Sequence, residues 1–329
     1  MKKIILSSAV AKTVFCQNRR SLLQEESETV MDKKTNFQSF LFFSSVLLGI
    51  LGVIFLGGCG FRHVLKPSGK TETVNRSVKI FHAISFHGYG NLTLNQGNKE
   101  KLSITTDTAI LPFIKTNVQN GVLVIGFKHK MGLMLIGNPK IQFNLTVKKL
   151  NKLTISGAAR AEAPSLKLKN FEIESTGSSE VKIGDLSCDH LKVNLPGMGS
   201  IELAGRVSRA VFTVSGAGNI QADNLQTKTM TVNISGAGAV SLSGRTDNEI
   251  LDLSGMGSIH AEKFKTQNAE IKISGVGKAT LWAMRSLDVK ITGTGEVDYY
   301  GPAKVEKSIS GAGEIKRLGL SPSQGKTTP

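Results

Sequence analysis

The stretch VFTVSGAGNIQA, residues 211–222, returns twenty residues later as TVNISGAGAVSL, residues 231–242. Apolar residues alternate with polar ones after the glycine motif, as where Ile220 and Ala222 enclose Gln221, and a similar alternation precedes it. A period of two on both sides of a glycine turn indicates strand, turn and strand. The unit of this chain is therefore a bent β-strand whose corner carries Ser-Gly-x-Gly.

The unit recurs nine times. The copies begin at Ser156, Thr176, Pro196, Ser215, Ser235, Ser254, Ser274, Thr292 and Ser310, in steps of 18 to 20 residues. A fixed period of this length is typical of a solenoid whose strands stack in parallel about 4.8 Å apart. We predict an all-β fold, a right-handed single-stranded parallel β-helix (β-solenoid) of about nine rungs with an N-terminal β cap.

Glycine fills two places in the later corners. The predicted corner glycines are Gly197, Gly199, Gly216, Gly218, Gly236, Gly238, Gly255, Gly257, Gly275, Gly277, Gly293, Gly295, Gly311 and Gly313. A sharp corner requires either a positive φ or the absence of a side chain, and stacking sets the same corner in register on each rung. A functional alternative is a row of backbone N–H nests that hold anions. Met198 and Met256 replace alanine in the third place, which favours packing over binding.

An export signal precedes the repeats. Residues 40–56, FLFFSSVLLGILGVIFL, contain no charge, follow two lysines and precede Gly57-Gly58-Cys59. This arrangement is typical of a secretion signal. Leu56-Gly57-Gly58-Cys59 resembles the lipobox of bacterial lipoproteins, which implies lipidation, such as palmitate, at Cys59 and cleavage before it. The alternative is an uncleaved transmembrane helix. The 19 residues 40–58 would form a helix about 30 Å long, which matches the thickness of the hydrocarbon core of a membrane.

The predicted organisation follows from these two features. Residues 1–30 are either a mis-assigned start, with translation beginning at Met31, or a cytoplasmic tail. Residues 31–58 are the lipoprotein signal peptide or membrane anchor, and 59–75 are a polar tether. Residues 76–150 contain strand-like runs without the glycine motif and form the N-terminal β cap, because an open solenoid end exposes unpaired strands. The repeats occupy 151–320, and 321–329 are a tail.

The composition is globular and basic. The 329 residues carry 41 Lys and Arg against 25 Asp and Glu, a net +16, and removal of the seven basic and four acidic residues of 1–58 leaves +13. Such a charge favours anionic partners at the envelope, such as acidic polysaccharide or another envelope polymer. Scattered lysines that protect sheet edges explain it equally well. With Cys59 lipidated, Cys188 is the only remaining thiol after residue 58, so no disulfide framework is expected.

The chain resembles the auto-transporter adhesin head domain, also called the GIN domain, over about residues 76–318. The similarity lies in Phe81-His82-Ala83-Ile84, in Asn95-Gln96-Gly97, in residues 120–125, NGVLVI, and in the repeated Ser-Gly-Ala-Gly. It implies an exported bacterial β-helix-like domain of unknown function. It brings no catalytic residue to this sequence.

Catalytic and metal-binding patterns are weak in the sequence. Carbohydrate-active β-helices need carboxylates that converge on one face, but the fourth and sixth residues after each motif start include no acidic pair in the middle rungs. Glu296, Asp298 and Glu314 cluster near the C-terminal end, where an exposed acidic patch is favoured over a calcium site or a general base. The six histidines have no metal-ligand spacing. We expect no cofactor and no metal.

Two aromatic residues give the sharpest local hypothesis. Trp282 and Tyr300 each follow a predicted inward residue, so both should point outward, one above the other, as a shelf on which sugars stack. The competing interpretation is a rung edge covered by the tail.

These observations together predict a membrane-anchored exported β-solenoid at the bacterial envelope, with the outer membrane or periplasmic face preferred. Its function would be that of an adhesin-like or envelope-associated binding module without catalytic activity or nucleic-acid binding. A carbohydrate-active β-helix enzyme and a purely structural envelope component remain the alternatives. The sequence leaves the oligomeric state and the ligand open.

Overall fold

Strands account for nearly all regular structure in the part of the chain that the computed structural model describes, which is residues 63–128, 133–135, 137 and 139–322. Within those ranges the helical structure is a single 3₁₀ turn, Leu111–Phe113, in which Pro112 supplies a pre-set φ. The prediction of an all-β fold is confirmed.

The N-terminal strands include antiparallel pairs as well as parallel ones. They are β1 (His63–Leu65), β2 (Thr71–Arg76), β3 (Ala83–Gln96), β4 (Lys101–Asp107), β5 (Ile114–Gln119), β6 (Val122–Phe127), β7 (Leu133–Leu135) and β8 (Gln142–Val147). β3 pairs in parallel with β6 and β8, whereas β2 with β4, β4 with β8 and β5 with β6 are antiparallel. Antiparallel strands therefore cover the end of the stack, where a parallel strand would be left unpaired.

The remaining strands stack turn upon turn. They are β9 (Lys152–Lys167), β10 (Asn170–Ser175), β11 (Glu180–Leu195), β12 (Ser200–Val214), β13 (Asn219–Ile234), β14 (Ala239–Leu253), β15 (Ser258–Ile273), β16 (Val276–Ile291), β17 (Thr294–Tyr300), β18 (Lys304–Ile309) and β19 (Glu314–Gly319). Every pairing among them is parallel, and β9 also pairs in parallel with β3. The β-solenoid is confirmed, with about 8 turns. The count is below nine because the last motif is followed only by the six residues of β19.

The core runs along the solenoid axis as columns of stacked apolar side chains. One column consists of Val193, Phe212, Val232, Leu251, Ile271 and Val289, all register partners and all fully buried. Burial of each such side chain contributes about 1.5–3 kcal/mol. The alternation of inward and outward residues found in the sequence is therefore the source of stability in each turn.

Glycine is required at the corners because a side chain has no room there, and not because the backbone adopts a positive φ. From the second copy onward none of the motif glycines has a positive φ. A Cβ on Gly236 would lie 2.0 Å from the carbonyl oxygen of Gly216, and the same clash recurs in the neighbouring turns. Each corner therefore needs the missing side chain of glycine so that successive turns can approach to strand distance.

A second corner varies in length from turn to turn. Gly205 and Gly244 have positive φ values of 133° and 120° and sit directly against carbonyl oxygens of the preceding turn. The intervening turn inserts an extra residue here, because Ala204 and Arg206 pair with Asp223 and Gln226. This corner presents the outward side chains considered below.

Candidate functional site

Trp282 and Tyr300 lie on the outer edge of adjacent turns. They are register partners in β16 and β17, as are the residues before them, Leu281 and Tyr299. Leu281 is fully buried, whereas Trp282 and Tyr300 are both half-buried. The two aromatic side chains thus follow the inward position and form part of the outer edge, as the sequence predicts; their role in binding stays a prediction.

A lysine completes the local chemistry of this edge. Lys265, the register partner of Trp282 in β15, places Nζ 5.3 Å from the centroid of the indole ring. This distance allows a cation–π interaction. The indole Nε1 is buried without a hydrogen-bond partner in the described structure. The indole can therefore contact a ligand through its ring but cannot donate a hydrogen bond to it.

The same edge continues along the solenoid toward its N-terminal end. One outward side chain per turn stands in register with the next, and we call this set the edge column. Its members are Lys167, Ser187, Arg206, Gln226, Arg245, Lys265, Trp282 and Tyr300. Four members are cationic and none is acidic, and no ion pair with a described residue involves those four.

The residues of the edge column do not all lie the same number of residues after the start of their glycine motif. Arg206 and Arg245 are the tenth residues after their motif starts, Lys265 is the eleventh, and Trp282 and Tyr300 are the eighth. The column therefore falls at three offsets, eight, ten and eleven, so a single count finds the two aromatic residues together and misses the cations. The signal that could find the others is the glycine–arginine pair at Gly205 and Gly244.

The acidic positions lie on another strip of the surface and are neutralised there. The fourth and sixth residues after each motif start are register partners throughout the solenoid. Near the C-terminal end Lys278 Nζ lies 2.8 Å from Glu296 Oε1 and 2.7 Å from Asp298 Oδ2. Hydrogen bonds to Asp298 and then to Glu296 raise the pKa of Lys278. A lysine thus occupies the centre of the predicted acidic cluster.

The two minor interpretations of that cluster receive no support from its geometry. Over the described ranges, no group of three or more His, Cys, Asp or Glu side chains is placed to hold a metal ion. In the described structure Asp298 Oδ1 is buried without a hydrogen-bond partner, so it faces no substrate.

The glycine corners of successive turns pack against one another through their backbones, and the third residue of the motif lies at the surface. The N–H groups of Ser215 and Gly216 donate to Leu195, and that of Ala217 donates to Gly197. The neighbouring corners repeat this pattern, so these donors serve the stack and the proposed anion nests are not free. Met198 and Met256 are 72% and 74% exposed, so their interpretation as packing residues is wrong: the third place of the motif points outward.

Two further titratable groups, Glu249 and Cys188, have buried side chains. Glu249 is 1% exposed, stacks between Met230 and Ala269, and has no hydrogen-bond partner for either oxygen. Burial raises its pKa to about 8. Burial, and then the charge of Asp189, raises the pKa of the Cys188 thiol to about 11, so this thiol is a poor nucleophile at neutral pH. Sequence reasoning missed Glu249.

The predicted anchor lies outside the described residues, and this includes Cys59 and the apolar stretch 40–56. In the part that is described, no helix has the length and apolar character of a membrane span.

The fold and the edge define the class of protein: a parallel β-solenoid that presents a long regular surface. The family model described as "Putative auto-transporter adhesin, head GIN domain" matches residues 80–243 and 232–303, and the chain belongs to that family. The family is one of exported, cell-surface-associated proteins of adhesin type. None of the curated proteins shows significant similarity to the chain.

Solved structures share the fold. A crystal structure titled "putative adhesin" from Parabacteroides merdae has 23% identity and a TM-score of 0.59, and the match covers 78% of this chain and 99% of that one. One titled "Putative lipid binding protein" from Parabacteroides distasonis has 25% identity, a TM-score of 0.58 and the same two coverages. A further "putative adhesin" from P. distasonis matches at 23% identity and a TM-score of 0.59, over 78% of this chain and all of that one.

Proposed function

We propose that this protein is a membrane-anchored, adhesin-like binding module that acts through its surface and not through catalysis. The observation that carries the proposal is the register of Trp282 and Tyr300 on an exposed edge, with Lys265 over the indole. Two aromatic side chains on adjacent turns beside a cation suit a ligand that has both apolar and polar faces, as sugars do. The anchor through Cys59 remains the prediction made from the sequence.

The regularity of the scaffold supports a binding role. The backbone at each position of the edge column lies in a strand that pairs with the strand of a neighbouring turn. A rigid element loses little conformational entropy when a ligand binds. The enzyme alternative has no comparable support, because a lysine bridges the acidic pair nearest to a converging arrangement.

The test is retention of the full chain on an array of glycans and envelope polymers, with the Trp282→Ala and Tyr300→Ala variants beside the wild type. We expect wild-type binding to at least one polymer at physiological salt and a loss of roughly tenfold or more in each variant. The matched control is Val276→Ala, since Val276 is an exposed apolar residue of the same strand at the glycine corner. Binding that persists unchanged in both aromatic variants would remove these residues from the site. Absence of binding to every polymer would favour the structural-component alternative.

A further inference from the structure

We infer that the edge column binds a linear acidic polysaccharide, laid along the solenoid axis with its sugar rings ending on Trp282 and its carboxylates facing Lys167, Arg206, Arg245 and Lys265. This inference rests on the proposed binding function and names the ligand class and the site.

The spacing of the charges favours a polymer over a single anion. Parallel strands lie about 4.8 Å apart, so Arg206 and Arg245, which are two turns apart, are separated by about 9.6 Å at their backbones. Both arginines follow a positive-φ glycine and are exposed. Arg245 is further steadied by a hydrogen bond from Nη2 to Gln226 Oε1 at 3.2 Å. With Lys167 and Lys265 two further turns are involved, so the cations form a row that a chain with repeated carboxylates can contact at several points.

The positive charge is concentrated in the edge column and not in its flanks. The positions two residues to either side carry both signs and nearly cancel. The acidic ones are Asp185, Asp189, Asp247 and Asp298, and the basic ones are Lys169, Lys228 and Lys263. Asp223 accepts hydrogen bonds from Gln221 and Ser243, and Asp298 is paired with Lys278. Four acidic against three basic flank residues leave only one negative charge, so the four column cations keep this edge positive.

The polar and aromatic members of the column favour a carbohydrate over other polyanions. A surface groove of about 370 Å³ is lined by Ser187, Arg206, Gln226 and Lys228, among others. Hydroxyl and amide groups between two cations can bind sugar hydroxyls, and the indole can stack on a sugar face. A polyphosphate has no apolar ring face with which the indole could stack.

The experiment measures the dissociation constant of the full chain for immobilised polygalacturonate, a linear polyuronate, at low and physiological salt. The test variant is Arg206→Ala/Arg245→Ala. The control is Lys272→Ala/Lys290→Ala, which removes the same charge from exposed register partners on another face of β15 and β16. We expect roughly tenfold weaker binding and a shallower salt dependence for the test variant. The control should change binding by less than about twofold. All four side chains are exposed, and thermal melts verify that both variants fold.

Two comparison surfaces separate this inference from the proposed function. A neutral linear glucan and vesicles of phosphatidylglycerol are measured in parallel. Equal weakening of test and control variants would show diffuse attraction to the net charge and overturn the inference. So would arginine-dependent binding to the vesicles without binding to the polyuronate. Wild-type binding to the neutral glucan alone would overturn the inference and leave the proposed function standing. Failure on every surface would overturn the inference, and the wider polymer array would then decide the proposed function.

Discussion

Glu249 lies where its neighbours in the stack place apolar side chains, and this gives a prediction about pH. In the unfolded chain its carboxyl ionises near 4.5, whereas burial keeps it protonated in the folded chain up to a pKa of about 8. Between these values the folded state binds more protons than the unfolded state. The free energy of unfolding therefore falls as pH rises from about 4.5 to about 8, by roughly 1.4 kcal/mol per pH unit. Outside this window the group contributes no slope.

The comparison with Glu249→Met isolates the effect. Methionine already occupies the neighbouring turn at Met230 and has no charge to bury. We expect the variant to be more stable at pH 7 by at least about 2 kcal/mol, with a difference in melting temperature that widens from pH 5 to pH 8. A difference that is constant across this range, or a variant less stable than the wild type, would contradict the assignment of Glu249 as an unpaired core carboxyl.

Glu249 also shows where inference from the sequence stops at the level of single residues. Its position is fourteen residues after its motif start, whereas Met230 and Ala269 are fifteen after theirs. The extra residue at the second corner causes this difference. Beyond that corner a fixed count assigns inward and outward residues wrongly, so neither the buried glutamate nor the cations of the edge column could be found in this way.

At the scale of one turn, stability depends on how closely the glycine corners approach each other. Gly236→Ala would place a methyl group 2.0 Å from the carbonyl oxygen of Gly216 and 2.6 Å from that of Ser215. The Gly216 oxygen accepts a hydrogen bond from the N–H of Ala237 in the next turn, so it cannot move without disturbing the bonds between turns. We expect a loss of about 3 kcal/mol in unfolding free energy, at the upper end for overpacking, measurable by thermal or urea denaturation.

Ala237→Met is the matched control for that substitution. The third place of the motif already holds Met198 and Met256 in other turns, and both are largely exposed. The larger side chain should therefore change the free energy of unfolding by less than about 0.5 kcal/mol. If Gly236→Ala proved as harmless as this control, the corners would have room that the structure does not show.

For the whole molecule, the period of the motif is sufficient to predict the architecture. Copies 18 to 20 residues apart give the parallel stack, and the fourth and sixth positions after each motif start are register partners as counted. The prediction succeeds because the first strand segment begins at a corner of constant length. The N-terminal end follows a different rule: β3 begins the stack while β2, β4 and β5 pair antiparallel. Of these pairings only that of β5 with β6 has a local signal, the Asn120-Gly121 hairpin turn, in which both residues have a positive φ.

A solenoid whose turns contact only their neighbours should tolerate loss of one complete turn. Deletion of residues 235–253 joins Ile234 to Ser254 and brings two twenty-residue turns together. In the new stack Leu225 meets Phe264, Gln226 meets Lys265 and Met230 meets Ala269, so inward residues still face inward. The shortened chain should be soluble, keep a β-sheet circular dichroism spectrum and melt cooperatively. Deletion of 235–244 removes half a turn, breaks the register of all later strands and should produce aggregate on size-exclusion chromatography. If both deletions aggregate, the stack depends on contacts beyond neighbouring turns; if both fold, register is not what holds it together.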